Sequence, residues 1–511
     1  MAAQEVEVKL ACGPGFSEQT VLAWLRRRGS LDGPVEANHV DVYLDTRSDE
    51  LAAAGLAARC RRNAGVRTIE VKPVPIEAGL VLARAEYTRA LVGDEDAGEA
   101  VKQLVQREFG LSLSETPREV VTLDTLRRRF ALAVEGARVE LCVDSVQAAE
   151  PHGRRASFGE LELELRDGSI AALDELGRDL ARRGGLSASK RTKFERAREL
   201  LGLAAIRYGA KPPALSGEQP LGEAARAVIG AWWQTACAHV PGVRVGLDPE
   251  HVHKMRVAMR RMRTALRVFE DAFDPELAEA LRDEVRRVGR LLGEVRDLDV
   301  QRLALTDWHE LFREIEGAAW QDIDDRLARR RAQARAVVLK ELASERWPAL
   351  DHAVERCCAS HAAAGRDTVM VSTPSLVMKR VERVERALVR LHEEGTARRA
   401  HELRIDIKNL RYTLEFIGAA LDWELADIVA ALSELQDELG MLQDGVQTGR
   451  LAAELFELSP RPSSGTGYAL GALLGHGRAL ERSALAVAGA AVARHALEPT
   501  LVRLRELVHG H

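Results

Sequence analysis

The run Glu160-Leu161-Glu162-Leu163-Glu164-Leu165 limits the fold more than any other stretch of this chain. Side chains on a strand point alternately to opposite faces, so three carboxylates share one face and three leucines the other. A same-face row of acids repels itself unless cations relieve it. The first 200 residues supply that relief in the same alternating form. Glu5, Glu7 and Lys9 lie opposite Val6, Val8 and Leu10; Glu70 and Lys72 lie opposite Ile69 and Val71. Arg59 aligns with Arg61, Arg84 with Glu86 and Thr88, and Arg127 with Arg129. One such strand alone reads as part of an antiparallel sheet with a wet face. The whole set is satisfied by a sheet closed on itself, charged face inward and apolar face packed outward, partly under helices. Its interior is a polar tunnel. Grouped carboxylates suit Mg²⁺ or Mn²⁺, hard cations that prefer oxygen, and Arg and Lys rows suit phosphate oxygens. The matching ligand is a short polyanion such as triphosphate with its metal.

These segments resemble, in order, those of CYTH domains, the triphosphate tunnel metalloenzymes. Glu5-Val6-Glu7-Val8-Lys9 matches the family's ExExK signature, and Asp41-Val42-Tyr43-Leu44-Asp45-Thr46 resembles its Tyr-x-Asp-Thr strand. Arg59-Cys60-Arg61, Thr68 to Lys72, Arg127 with Arg129, Glu160 to Glu164, and Ser189-Lys190 follow in register with the later motifs. Arg84-Ala85-Glu86-Tyr87-Thr88 departs from R-x-E-x-E, with a hydroxyl in place of the second acid. The resemblance implies an eight-stranded antiparallel tunnel and metal-dependent hydrolysis of a triphosphate. It casts Glu5, Glu7, Lys9 and Glu86 as catalytic groups. Glu5, Glu7, Glu160, Glu162 and Glu164 become metal ligands, with either Glu160 and Glu162 or Glu162 and Glu164 as the central pair. Lys9, Arg59, Arg61, Lys72, Arg84, Arg127, Arg129 and Lys190 become the phosphate cradle.

From Leu221 onward the texture changes to helical periodicity. The expected division is a tunnel domain over 1–203, a linker over 204–220 carrying Lys211-Pro212-Pro213 and Ser216-Gly217, and a helical domain over 221–511. A length of 511 residues suits two or three domains, so the fold class expected is α+β, a β tunnel followed by an all-α domain. A second break, Ser459 to Gly467, reads as a loop.

The helical half contains a repeat. His253, Arg256, Arg260 and Arg263 recur 148 positions on as His401, Arg404, Lys408 and Arg411, and Leu292-Gly293 with Asp297 recurs 147 on as Leu439-Gly440 with Asp444. Steps of 0, 3, 7 and 10 fall within about 80° of a helix surface. One stack of four cations reads equally as a solvated face; two stacks at matched spacing point to an anion site, with the two stripes brought to one groove by a pseudo-two-fold arrangement. Arg296, Asp297, Asp299 and Asp444 read either as active-site groups or, as favoured here, as structural ones, the acids holding Arg side chains in place by bidentate pairing. Anion binding is expected to strengthen as the two imidazoles protonate. The His-x-x-Arg helices and their duplication resemble the CHAD domain, which implies binding of inorganic polyphosphate by those eight residues.

Composition sets the remaining bounds. The net charge of −5 argues against a generic nucleic-acid binder, and no specific nucleic acid is expected as a partner. The cations are lopsided, ten Lys and 63 Arg, a bias that anion binding and a GC-rich genome explain equally well. Six scattered cysteines without a C-x-x-C pair fit a reducing compartment. No run of eighteen uncharged apolar residues is present, and Met1 to Lys9 reads as neither a signal nor a transit peptide. The expectation is a cytoplasmic inorganic triphosphatase, associated with polyphosphate granules through its helical domain. Two rivals are a polyphosphate tether with a weakened tunnel and another CYTH chemistry, thiamine triphosphatase or adenylate cyclase.

Overall fold

The structure, a computed structural model, describes residues 3–63, 65–74, 81–183, 185–189, 191–203, 208–210, 212–360, 367–420, 423–457 and 462–509. It divides into two units, Met1–Tyr208 with Ala238–Val252, and Gly209–Cys237 with His253–His511.

Alternation builds the first unit. Its strands are β1 (Ala3–Cys12), β2 (Gly29–Asp45), β3 (Leu56–Asn63), β4 (Val66–Pro73), β5 (Val81–Ala90), β6 (Arg118–Val134), β7 (Ala137–Ala149), β8 (Arg155–Gly168) and β9 (Leu186–Ala188). Each pairs antiparallel with its neighbours in the order β5-β4-β3-β2-β6-β7-β8-β1, and β1 returns to β5. The sheet is therefore a closed ring of eight, as expected, with the three-residue β9 added along β1. The register sets unlike charges opposite each other: Lys9 faces Glu162, Asp41 faces Arg61, Arg59 faces Glu70 and Arg127 faces Asp144.

The apolar cores lie outside this ring. Val8, Leu10, Leu141, Val143, Leu161 and Leu163 pack against Val21, Leu22 and Leu25 of the helix Glu18–Leu25 and Leu173, Leu176 and Leu180 of the helix Ile170–Ala181. A second cluster joins Leu44, Leu56, Ile69 and Val71 to Val101, Leu104 and Val105 of the helix Ala97–Phe109. With the leucine faces buried under helices, the charged faces have only the interior. The helix Lys193–Leu200 starts at a capping box of Thr192 and Glu195 and buries Phe194 and Ala197 beside Tyr43, Val121 and Phe158. The Tyr43 and Phe194 rings stack at 4.6 Å.

The second unit is helical. The cationic stripes lie on the helices Pro249–Val268 and Ala397–Ile417, each followed by a long helix, Pro275–Leu303 and Ala426–Glu457. Thr448 Oγ1 donates to Gln301 Oε1 at 3.0 Å in a buried contact. These two residues are 147 apart, the spacing of the repeated Leu-Gly pairs, so equivalent positions of the two repeats meet each other. The helices Ala426–Glu457 and Ser464–Arg494 pack so closely at Gly449 and Gly477 that a Cβ on Gly449 would stand 2.8 Å from the Gly477 Cα. Of the expected loop over Ser459 to Gly467, residues 459–461 lie outside the described residues, and Ser464 to Gly467 are already helix. The helix begins at Ser464, because the Ser463 hydroxyl accepts from the Thr466 N–H and caps it. Among the described residues no helix is long and apolar enough to cross a membrane.

Candidate functional site

The ring encloses a cavity of about 240 Å³ lined by Glu7, Lys9, His39, Asp41, Tyr43, Arg59, Arg61, Glu70, Lys72, Glu86, Arg127, Glu140, Glu162, Glu164, Arg166, Thr192 and Lys193, with Ala57, Pro73 and Val74. Seven of these side chains are acids and seven are Lys or Arg, and they neutralise one another in pairs. Lys9 Nζ lies 2.5 Å from Glu162 Oε1 and 3.2 Å from Glu7 Oε2. Arg61 grips Asp41 with two bonds of 2.7 and 2.8 Å. Arg59 reaches both Asp41, at 3.0 Å, and Glu70, at 2.6 Å. Lys72 lies 3.1 Å from Glu86. Arg127 holds Asp144 through bonds of 2.8 and 2.6 Å and also pairs with Glu162. Lys193 Nζ sits among Asp144 at 2.9 Å, Glu160 at 3.1 Å and Glu162 at 2.6 Å.

These contacts set the protonation states. Burial opposes the charged form of Glu162, yet Lys193, Lys9 and Arg127 hold its carboxyl well below the usual range. Burial holds the Glu160 carboxyl above that range even with Lys193 and Lys9 beside it. Lys193 Nζ reaches Glu160 at ion-pair distance without hydrogen-bond geometry, and neither Glu160 oxygen accepts a hydrogen bond. Asp41 is likewise held low against its burial, by Arg59 and Arg61. His39 is pushed down to about 4 by burial and Arg61, so its imidazole is neutral at physiological pH. Lys9 and Lys193 are raised despite burial, by Glu162 and Glu7 for Lys9 and by Asp144, Glu162 and Glu160 for Lys193.

Of the residues singled out from sequence, the cavity gathers Glu7, Lys9, Arg59, Arg61, Lys72, Glu86, Arg127, Glu162 and Glu164. Glu160 is fully buried behind Lys193, while Glu164 is half-buried and pairs with Arg166 at 2.7 Å. Glu160 and Glu162 are thus the inner pair of the acidic row. Arg129 is exposed and lines a separate cavity with Asp32, Val35 and Arg138. Thr88 is exposed and outside the lining. Lys190 and the side chains of Glu5 and Arg84 lie outside the described residues; the register places Glu5 opposite Arg84. Sequence reasoning missed Asp41, Glu70, Asp144 and Lys193 as site residues. Asp144 had a signal, since it alternates with Glu140 and Cys142 on β7. Lys193 had none, being delivered by the first turn of a helix.

Among the described residues no three metal-capable side chains converge on one point. Mg²⁺ takes one or two carboxylates and completes its shell with substrate phosphates and water. Glu7, Glu162 and the unsatisfied oxygens of Glu160 offer that kind of donor, so the residues present fit a hard divalent ion.

In the second unit the stripes come together. Arg260 donates to the Tyr412 hydroxyl at 3.1 and 2.8 Å. Lys408 is pushed down to about 6 by burial and by Arg260, Arg404, Arg256 and Arg263. Each repeat seats one guanidinium against a glycine. A Cβ on Gly293 would stand 3.4 Å from Arg256 Nε, and one on Gly440 3.1 Å from an Arg404 nitrogen. Arg256 lies 3.5 Å from Asp297, and Arg404 donates to the Gln436 carbonyl at 3.1 Å. Arg411 is held by Glu415 at 2.5 Å and by Gln436. Asp299 pairs with Arg331, off the stripe. His253 is lowered to about 4, and His401 is lowered too, by burial and the neighbouring cations; neither Nδ1 has a hydrogen-bond partner. The expected gain from imidazole protonation therefore falls below neutral pH.

Residues 3–197 match the CYTH domain family and residues 227–453 the CHAD domain family. An uncharacterized protein of Mycobacterium tuberculosis is 26% identical over 438 residues, covering 79% of this chain and 80% of that protein. The CHAD domain of the plant Ricinus communis is 26% identical over 56% of this chain and 96% of its own, at a TM-score of 0.45. PptA from Streptomyces chartreusis is 20% identical over 54% of this chain and 99% of its own, also at 0.45.

Proposed function

Because an N-terminal CYTH domain precedes a C-terminal CHAD domain in this chain, we propose that it hydrolyses inorganic triphosphate to diphosphate and phosphate in the tunnel and holds inorganic polyphosphate in the helical groove. CYTH domains hydrolyse triphosphate substrates. The observation that carries the inorganic substrate and the need for a metal is the balanced lining. A polyanion entering alone would take Arg and Lys from their carboxylates and leave those acids buried and unpaired, which costs several kcal/mol. A divalent cation entering with it takes up the released carboxylates, so anion and metal fit together where neither fits alone.

In this reading Lys9, Arg59, Arg61, Lys72 and Arg127 bind and orient the phosphates, with Arg84 and Lys190 extending the cradle, whereas Arg129, in its separate cavity, takes no part. Glu7 and Glu162, with Glu5, Glu160 and Glu164, hold Mg²⁺ or Mn²⁺, which supplies an acidified water and neutralises the leaving phosphate. Glu86, paired with Lys72 before substrate arrives, is freed to accept a proton from the attacking water. The cavity is smaller than the ~300 Å³ of pockets that take drug-sized molecules, which favours a substrate without an organic group. The eight groove residues, His253, Arg256, Arg260, Arg263, His401, Arg404, Lys408 and Arg411, offer a longer polyanion its contacts, with the arginines carrying the charge at neutral pH.

The test is phosphate release from tripolyphosphate with Mg²⁺ or Mn²⁺, wild type beside Glu7→Ala. Metal-dependent turnover that the variant loses supports the reading. No turnover with either metal, in a folded protein that still binds polyphosphate, replaces it with a tethering role.

A further inference from the structure

Tyr412 breaks the symmetry of the duplicated helices. At the 148-residue offset it corresponds to Thr264. The threonine hydroxyl donates to the Arg260 carbonyl at 3.2 Å and to Asn409 at 3.4 Å, and holds no guanidinium. The phenol reaches from the second repeat to a stripe arginine of the first. Its oxygen accepts from both Nε and Nη2 of Arg260, at 3.1 and 2.8 Å. Tyr412 is only 1% exposed, so packing fixes where that oxygen sits.

Three guanidinium groups surround the phenol ring. Arg261 lies 4.4 Å, Arg411 4.9 Å and Arg260 5.7 Å from its centroid. Arg261 and Arg411 share Glu415, at 2.7 and 2.5 Å. Arg260 has no such partner: among the described residues no carboxylate lies within ion-pair distance of it. A carboxylate in that place would fix the guanidinium but cancel its charge, and an arriving polyanion would have to displace it. A hydroxyl fixes the same fork and leaves the charge whole. The tunnel does the opposite, since Arg59, Arg61 and Arg127 are all gripped by carboxylates.

We propose that Tyr412 is a positioning residue for the anion site of the helical unit: it presents Arg260 aimed and fully charged, so that the groove takes polyphosphate free of metal. The role rests on the polyphosphate reading above. Tyr412 acts through Arg260 and touches no phosphate itself. A polyanion that draws Arg260 away from the phenol leaves behind a neutral hydroxyl, which calls for no divalent cation. A polyanion in the tunnel leaves carboxylates behind, which do. The two units therefore divide the ligand by its metal: the bare chain to the groove, the metal complex to the tunnel.

The experiment is a filter-binding titration of polyphosphate on the full-length protein in EDTA, with Tyr412→Phe, Arg260→Lys and the double variant. The wild type is expected to bind without metal. Tyr412→Phe keeps the ring and its packing and removes one oxygen, and should weaken binding about tenfold, as for a lost hydrogen bond to a charged group. Arg260→Lys keeps the charge but cannot fork onto the phenol oxygen, and should lose about as much. In that background Tyr412→Phe should cost nothing further, a non-additivity that a general loss of packing does not give. Unchanged affinity in Tyr412→Phe, or losses that add in the double variant, overturn the positioning role and leave polyphosphate binding standing. Wild-type affinity in Arg260→Lys overturns the role whether or not Tyr412→Phe folds. Binding that appears only with Mg²⁺ overturns the metal-free groove. A wild type that binds under neither condition overturns the polyphosphate reading, and this role with it.

Discussion

Lys193 Nζ lies 2.6 Å from Glu162 Oε1, and the same ammonium serves Asp144 and Glu160. One side chain from the start of a helix thus balances three carboxylates from two strands. Removing one partner of a buried ion pair leaves uncompensated charge and costs about 3–5 kcal/mol. Lys193→Met is expected to lose stability of that order in a denaturant titration. Added Mg²⁺ should recover part of it, and more than it adds to the wild type. A midpoint unchanged by the substitution would show that the three acids do not depend on this lysine.

Thr88 stands where the family pattern has a second glutamate, yet it is exposed and outside the tunnel lining. Surface changes away from a site stay within about 0.5 kcal/mol. Thr88→Glu should therefore leave kcat/KM for tripolyphosphate within about twofold of wild type at saturating metal. A tenfold rise would mean that residue 88 reaches the reacting groups.

The glycines beneath Arg256 and Arg404 offer a matched pair. A methyl at Gly440 meets an Arg404 nitrogen at 3.1 Å, and one at Gly293 meets Arg256 at 3.4 Å. Alanine in a helix interior adds about 0.5–1 kcal/mol over glycine. Gly440→Ala should keep or raise the melting temperature while weakening polyphosphate binding, and Gly293→Ala should weaken it less. Equal, unchanged affinities from a filter-binding titration would separate the arginine positions from the anion site.

If the groove takes a polyanion as proposed, Lys408 makes that binding proton-linked. Its free ammonium titrates near 6, below the ordinary lysine value, and a bound polyanion raises it. The free protein then lacks a proton at pH 7.5 that the complex holds, so binding takes one up. Affinity should fall as pH rises above 6 and level off below it, until His253, near 4, begins to charge. Calorimetry in buffers of different ionisation enthalpy reads the uptake directly, and its absence in Lys408→Arg assigns it. Zero uptake in the wild type would show that Lys408 is already charged.

Alternation carried most of what the sequence revealed. A two-residue period needs no tertiary information, so the inward rows on β1, β3, β4, β6 and β8 could be read as faces before any pairing was known. Register is what selects among them. Glu160 and Glu164 look alike in sequence, and only the placement of Lys193 and Arg166 makes one the buried base of the tunnel and the other its rim. Arg127 and Arg129 share a face, yet the first reaches Asp144 while the second lies beyond the cavity. In the helical unit the 148-residue offset exposed the duplication. It could not show that Lys408 would sit among four guanidinium groups, because that follows from packing one repeat against the other.

β1 is paired on both sides, to β5 and to β8, and carries Glu7 and Lys9. Lys9 and Glu162, which touch, are separated by 153 positions. A nascent chain therefore makes its first stave early and must keep it unpaired on one side until β8 has been synthesised. Until then there is neither a closed wall nor an inner pair of acids opposite Lys9. Under the proposed function, a fragment ending before β8 would lack the wall that holds the substrate, and turnover would report that the barrel has shut.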